Sequence, residues 1–258
     1  MVHENDWDVL GIDPAPSKEA VIFDGTRWEV VCPQKLRDHI EARLRANPRT
    51  LIAWDSPLSF GRDNYYDRLV DKVAQNWVLD NVEARRFEEK AVNALPFAGV
   101  PQWAVSCASL GYPFGTPPKG LRLATDATPD MAMSEVPLVI EVHPAVAIGV
   151  WWLDRGIAPQ LPVYKGRSMR CIEITELLRL DAEAGKDDDH LDACVAYHLG
   201  RGFLNGGAQW LGNPVAGGYV LPVGPSLTVL SRSYAQLPPP RRRRSKPLTA
   251  LGGGNGGQ

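Results

Sequence analysis

Three apolar runs in this chain each end in a carboxylate. Asp13 follows VLGI, Asp55 follows LIAW and Glu141 follows LVI, and each run has the length and composition of a buried strand. An unpaired carboxylate set against such a core costs several kcal/mol, so each needs a compensating partner. If the three strands are neighbours, their acids meet at one edge of a sheet and repel one another. A hard divalent cation with oxygen ligands would resolve that repulsion.

A fourth acidic element opens a late helix, in DDDHLDACVAYHLG. Asp189 and Asp192 are three residues apart and Asp188 and Asp192 four apart, so either pair shares a helical face. Asp is a poor helix former, yet Asp192 lies inside the helix among apolar Leu191, Cys194, Val195 and Leu199. Singly, each acid has an ordinary explanation: a turn acid before Pro14, a turn or cap at Asp55-Ser56-Pro57, a solvated first turn at Asp187 to Asp189. Three strand-end acids plus one inside a helix favour a shared site.

The elements that must position these acids follow from local patterning. DVLGID, KEAVIF and TRWEVV read as strands, with Asp24-Gly25 a tight-hairpin signal between the last two. A helix is expected from Pro33 to Ala46, with Leu36, Ile40 and Leu44 at four-residue spacing. TLIAWD and VPLVIEVHP read as further strands, and SMRCIEITELLRLD and DDDHLDACVAYHLGRGF as helices. The stretch from Tyr65 to Lys90 has helical periodicity, Pro96 to Pro137 reads as irregular, and GGYVLPVG as a short edge strand or hairpin. The expected fold class is α/β: a mixed sheet, an antiparallel hairpin meander plus parallel strands, flanked by helices. The expected organisation is one domain over 1–236, with a helical and loop insertion at about 61–135, then a disordered basic, Gly-rich tail over 237–258.

Composition narrows the functional classes. The 258 residues are 44% hydrophobic and 22% charged, enough for one sizeable core. No apolar run is long enough to cross a bilayer, and the acidic start is unlike a signal peptide, so a cytoplasmic location is expected. Cys32, Cys107, Cys171 and Cys194 are scattered without a CxxC pair, which argues against a zinc knuckle or a disulfide framework. The net charge is −2, with 28 basic and 30 acidic residues. Setting aside Arg241, Arg242, Arg243, Arg244 and Lys246 leaves 23 basic residues, so the body carries −7. An acidic body with a basic arm suits a metal site beside a phosphate-attracting segment, and Arg241 to Arg244 are the candidate nucleic-acid-binding residues.

The order meander, helix, strand, helices, with acids on the first and fourth strands and a late helix, resembles the RNase H-like superfamily. Several segments resemble more closely the bacterial and archaeal family catalogued as domain of unknown function 429, of predicted RNase H-like nucleases. The matching pieces are GID, IAWDSPLSF, EVHP at Glu141 to Pro144, Tyr164-Lys165, DDDHLDACVAYHLG and GGYVLPV, spanning about residues 8 to 223. The resemblance implies that Asp13, Asp55, Glu141 and one or both of Asp189 and Asp192 are active-site carboxylates. Resolvases of the same superfamily carry two acids three apart on the late helix, similar to Asp189 and Asp192.

On this reading, Asp13 bridges two Mg²⁺ or Mn²⁺ ions about 4 Å apart. Asp55 and Glu141 hold one ion each, and Asp189 or Asp192 completes the shell. Lys165 is the candidate for steadying a phosphate. His143 is a supporting residue and His190 a candidate proton carrier. The reaction expected is hydrolysis of a nucleic-acid phosphodiester, on DNA or RNA. Two other classes compete: a non-catalytic nucleic-acid or protein-binding module on the same fold, and a phosphotransferase or ATPase. Against the last, PAPSKEA after Asp13 lacks the glycines that let a hairpin backbone approach phosphates.

Overall fold

The computed structural model describes residues 7–59, 68–81, 100–112, 114–125, 136–158, 162–213 and 217–236. Strands β1 (Asp8–Asp13), β2 (Ala20–Phe23) and β3 (Trp28–Val31) form the antiparallel meander. Gly25 turns the second hairpin at φ +94°, and the Asp24 carboxylate caps the turn by accepting from the Thr26 and Arg27 amides. Helix α1 (Pro33–Ala46) buries Leu36, Ile40 and Leu44 and returns the chain to β4 (Thr50–Trp54), which pairs parallel to β1. Strands β5 (Arg122–Leu123) and β6 (Leu138–Glu141) extend the sheet beyond β4, giving the order β3-β2-β1-β4-β6-β5.

Among the described residues the remaining α-helices are α2 (Leu69–Asn81), α3 (Val100–Leu110), α4 (Pro144–Asp154), α5 (Ser168–Leu178), α6 (Asp188–Asn205) and α7 (Pro225–Gln236). A separate hairpin, β7 (Ala208–Asn213) with β8 (Gly217–Pro222), touches the main sheet through a parallel bridge between Val142 and Val220. Alternate residues of the central strands divide between two cores. Val9, Leu51, Ala53, Leu138 and Ile140 pack with α4 and α6, whereas Leu10, Ile12, Ile52, Trp54 and Val139 pack with α1 and α3. Covering both faces explains why these strands read as continuous apolar runs rather than alternating ones.

The architecture is the mixed, helix-flanked α/β sheet expected. It corrects the reading of 96–137 as irregular, because α3 and β5 lie there. Two further helices carry too little pattern to be anticipated. In PAVAIGVWWLD seven of the eleven residues of α4 are buried and the other four half-buried, so no exposed face marks an amphipathic period. Helix α7 buries only Ser226, Leu227 and Leu230. Parts of the 61–135 insertion, and the whole 237–258 tail, lie outside the described residues. Among the described residues, no helix is long and apolar enough to cross a membrane.

Candidate metal centre

Register between β1 and β4 brings the first two acids together. The pairs run Val9↔Leu51, Gly11↔Ala53 and Ile12↔Trp54, and the Asp55 amide then donates to the Ile12 carbonyl at 3.0 Å. Because side chains alternate, Asp13 emerges on the face of Val9 and Gly11, and Asp55 on the face of Leu51 and Ala53. That is the face on which α6 lies. A Cβ at Gly11 would stand 2.1 Å from the Ala193 carbonyl oxygen and 2.3 Å from the Tyr197 amide, so strand and helix backbones are in direct contact. Gly200, one helical stretch on, similarly admits Val9 and Ala53. The glycine at 11 thus lets α6 deliver Asp192 beside Asp13.

One carboxylate oxygen each from Asp13, Asp55 and Asp192 lies within 4.8 Å of the others. Asp192 is fully buried, while Asp13 and Asp55 are half-buried at the strand ends. Burial pushes the Asp13 carboxyl well above its ordinary range, and the charges of Asp55 and Asp192 push it further. Burial and then Asp192 do the same to Asp55. Burial also raises Asp192, against the opposing pull of Lys165 and Tyr164. Three oxygen donors held in mutual repulsion fit a hard divalent cation, and no nitrogen or sulfur donor joins them among the described residues.

Tyr164 and Lys165, in the turn before α5, reach the same helix. The Tyr164 hydroxyl donates to Asp192 Oδ1 at 2.6 Å, and the Lys165 ammonium donates to Asp192 Oδ2. Burial alone would lower the Lys165 pKa, but the carboxylates of Asp192, Asp13 and Asp55 raise it overall. Asp188 Oδ2 stands 3.9 Å from the same nitrogen. Asp189 is paired with Lys18 and lies outside the close trio, though its charge still raises Asp13 and Asp55. Asp187 caps α6, accepting from the His190 amide at 2.9 Å and lying 2.7 Å from His190 Nδ1. With its ring packed by Trp28, His190 thus has a structural role at the helix start.

Glu141 was expected among the ligands, and the structure places it differently. Register pairs it with Trp54, one residue short of Asp55, so its side chain belongs to the opposite parity. Its carboxylate accepts from the Leu58 and Ser59 amides at 2.8 and 3.1 Å and from Ser59 Oγ at 2.9 Å. Arg68 completes the shell at 2.5 Å, with both side chains 2% exposed. Arg68 also grips Asp71 through two bonds of 2.8 Å. The Glu141 oxygens are therefore spent on tying the β4 exit loop and the start of α2 to β6. His143 is buried, and neither of its ring nitrogens is hydrogen-bonded among the described residues. Burial, then the cations of Arg68 and Lys165, lower its pKa to about 3, so it is a neutral imidazole.

Of the expected residues, Asp13, Asp55, Asp192 and Lys165 meet at one site, Asp189 stands beside it, and Glu141 is engaged elsewhere. Arg241 to Arg244 lie outside the described residues. Sequence reasoning missed Arg68 and the use of Ser59 entirely. Arg68 sits at the head of a helix with no pattern to distinguish it, and only its burial reveals its role. No curated protein and no solved structure matches the chain. A family model does, over residues 11–216, a span containing all three acids of the trio and both residues of the Tyr164-Lys165 pair. With most of its length matched, this chain belongs to the family described as "Protein of unknown function (DUF429)".

Proposed function

We propose that this protein is a nuclease that hydrolyses nucleic-acid phosphodiester bonds with Mg²⁺ or Mn²⁺ as cofactor. The observation that carries the reading is the convergence of Asp13, Asp55 and Asp192 within 4.8 Å on one face of the sheet, at the ends of β1 and β4. The strand order and the acid-bearing elements are compatible with an RNase H-like fold, whose members use such a site.

A bound divalent ion would activate water and neutralise charge developing on the phosphoryl group. The chain's own residues divide the remaining work. Asp192, immobilised by Tyr164, is the fixed anchor of the ligand set. Asp13 and Asp55, half-buried at the strand ends, are the two acids of the trio that a substrate phosphate would approach. With Glu141 committed to Arg68, a second ion would draw on Asp189, on the first turn of α6. Lys18, whose side chain is 57% exposed, and Lys165 are the cations flanking the acids, suited to meeting a phosphate's remaining charge. The arginines at 241–244 would add sequence-independent attraction to the nucleic-acid backbone.

The test is incubation of the purified protein with labelled single-stranded, duplex, hybrid and branched DNA and RNA, in Mn²⁺, Mg²⁺ or EDTA. Asp13→Asn and Asp192→Asn proteins run alongside. Cleavage that needs metal and disappears in both variants is the expected result. Binding without cleavage, or cleavage undiminished in the variants, would overturn the reading in favour of a non-catalytic binding module or a different site.

A further inference from the structure

Among the described residues one ammonium, that of Lys165, touches the trio, through Asp192, and it has a second carboxylate, Asp188, within reach. Tyr164 is buried and pinned through its hydroxyl to Asp192 Oδ1. A tight turn follows, closed by the Arg167 amide on the Tyr164 carbonyl at 2.8 Å with Gly166 at φ +69°. The backbone of Lys165 is therefore fixed, whereas its side chain is 37% exposed and can swing. From that base the ammonium touches Asp192, which is fully buried, and stands 3.9 Å from Asp188, whose side chain is 26% exposed. Asp188 and Asp192 lie four residues apart on α6, one turn above the other.

We propose that Lys165 is an exchangeable internal cation: it occupies the carboxylate trio when no metal is bound and moves to Asp188 when a divalent ion enters. The inference rests on the metal-centre reading above and deepens it. Two cations seeking the same oxygens repel, and the divalent one interacts more strongly with three clustered carboxylates than the monovalent one does. Without an alternative partner, displacing the ammonium would leave it half-buried and unpaired. Asp188 supplies that partner a short swing away, nearer to solvent. The move also changes what Lys165 can do. In the metal-free protein its charge is paired with the fully buried Asp192; beside the more exposed Asp188 it lies nearer solvent, where an arriving phosphate can share it. Metal entry thus frees the positioning residue for the substrate's phosphoryl group.

Calorimetric titration of the full chain with Mn²⁺, at mildly alkaline pH to suppress proton competition, tests this without any substrate. Wild type, Lys165→Met, Asp188→Asn and the double variant are compared, with Asp13→Asn showing that the heat reports the trio. Removing the competing ammonium is expected to tighten Mn²⁺ binding by about tenfold, the scale of coupling between groups in direct contact. Asp188→Asn is expected to weaken Mn²⁺ binding where Lys165 is present and to have little effect in the Lys165→Met background. Unchanged or weaker binding in Lys165→Met overturns the proposal, because Lys165 would then be a permanent partner of the bound ion. So does an Asp188 effect of equal size in both backgrounds, which would make Asp188 a distant charge only. Lys165→Gln, neutral but still able to donate to Asp192, supplies the ammonium-free background for the same comparison if Lys165→Met does not fold. Wild-type binding that is absent, or untouched by Asp13→Asn, overturns the metal-centre reading itself and this inference with it.

Discussion

Replacing Asp13 by Asn is expected to stabilise the metal-free protein while removing its response to metal. Coulomb's law at an effective dielectric of about 20 gives roughly 3.5 kcal/mol for two like charges 4.8 Å apart. Asp13 faces two such charges, Asp55 and Asp192, and one opposing charge, Lys165. The attraction offsets about one of the two repulsions, and water at the half-open edge screens what is left. A net relief of about 1–2 kcal/mol remains, or roughly 2–8 °C in Tm for a chain of this size.

The pH dependence has a definite sign. Asp13 and Asp55 have an ordinary value of 3.8 and are raised in the fold, by burial first and by neighbouring carboxylates second. Between the two values the folded state holds more protons than the unfolded one, so stability is full below the ordinary value and falls as pH rises through the raised one. Thermal melts in EDTA from mildly acidic to mildly alkaline pH should show wild type losing stability as pH increases, and Asp13→Asn losing less. Adding Mn²⁺ should raise the wild-type Tm, most at the alkaline end, and leave the variant nearly unmoved. A variant less stable than wild type in EDTA, or stabilised by Mn²⁺ as strongly, would refute the reasoning.

Glu141→Gln should do the opposite of Asp13→Asn: it takes from the buried Arg68 one of its two carboxylate partners, leaving Asp71, and should cost about 1–3 kcal/mol in denaturant unfolding, with Mn²⁺ affinity preserved in the folded fraction. Gly11→Ala forces a Cβ into the backbone of α6, so we expect a loss of about 1–3 kcal/mol or more, together with weakened Mn²⁺ binding as Asp192 moves away from Asp13. Deleting residues 237–258 removes Arg241 to Arg244 and Lys246 and should reduce the salt slope of nucleic-acid binding by up to about 4.5, read by fluorescence anisotropy at several salt concentrations, without altering the metal affinity.

The sequence determined by itself where the acids would be in the chain and which kind of element would carry each. Apolar runs of strand length ending in Asp13 and Asp55, and Asp192 amid apolar helix positions, are local patterns, because burial on a sheet or helix face imposes its period on the residues nearby. Helix α1 was legible to its ends from Pro33 and the spacing of Leu36, Ile40 and Leu44. Helix α4 was not, since a helix with no exposed face leaves no periodic trace.

Which of the acids meet depends on long-range pairing. Asp55 and Glu141 look equivalent in sequence, each the last residue of an apolar run. Yet pairing Trp54 rather than Asp55 with Glu141 sets the two side chains at opposite parity, and a one-residue difference in register separates a candidate ligand from half of a buried ion pair. The partners that define the roles, Arg68 for Glu141 and Lys165 for Asp192, lie 73 and 27 residues away along the chain. No local pattern encodes such distances. They follow from strand order, from the register of each ladder and from a glycine small enough to let α6 rest on β1.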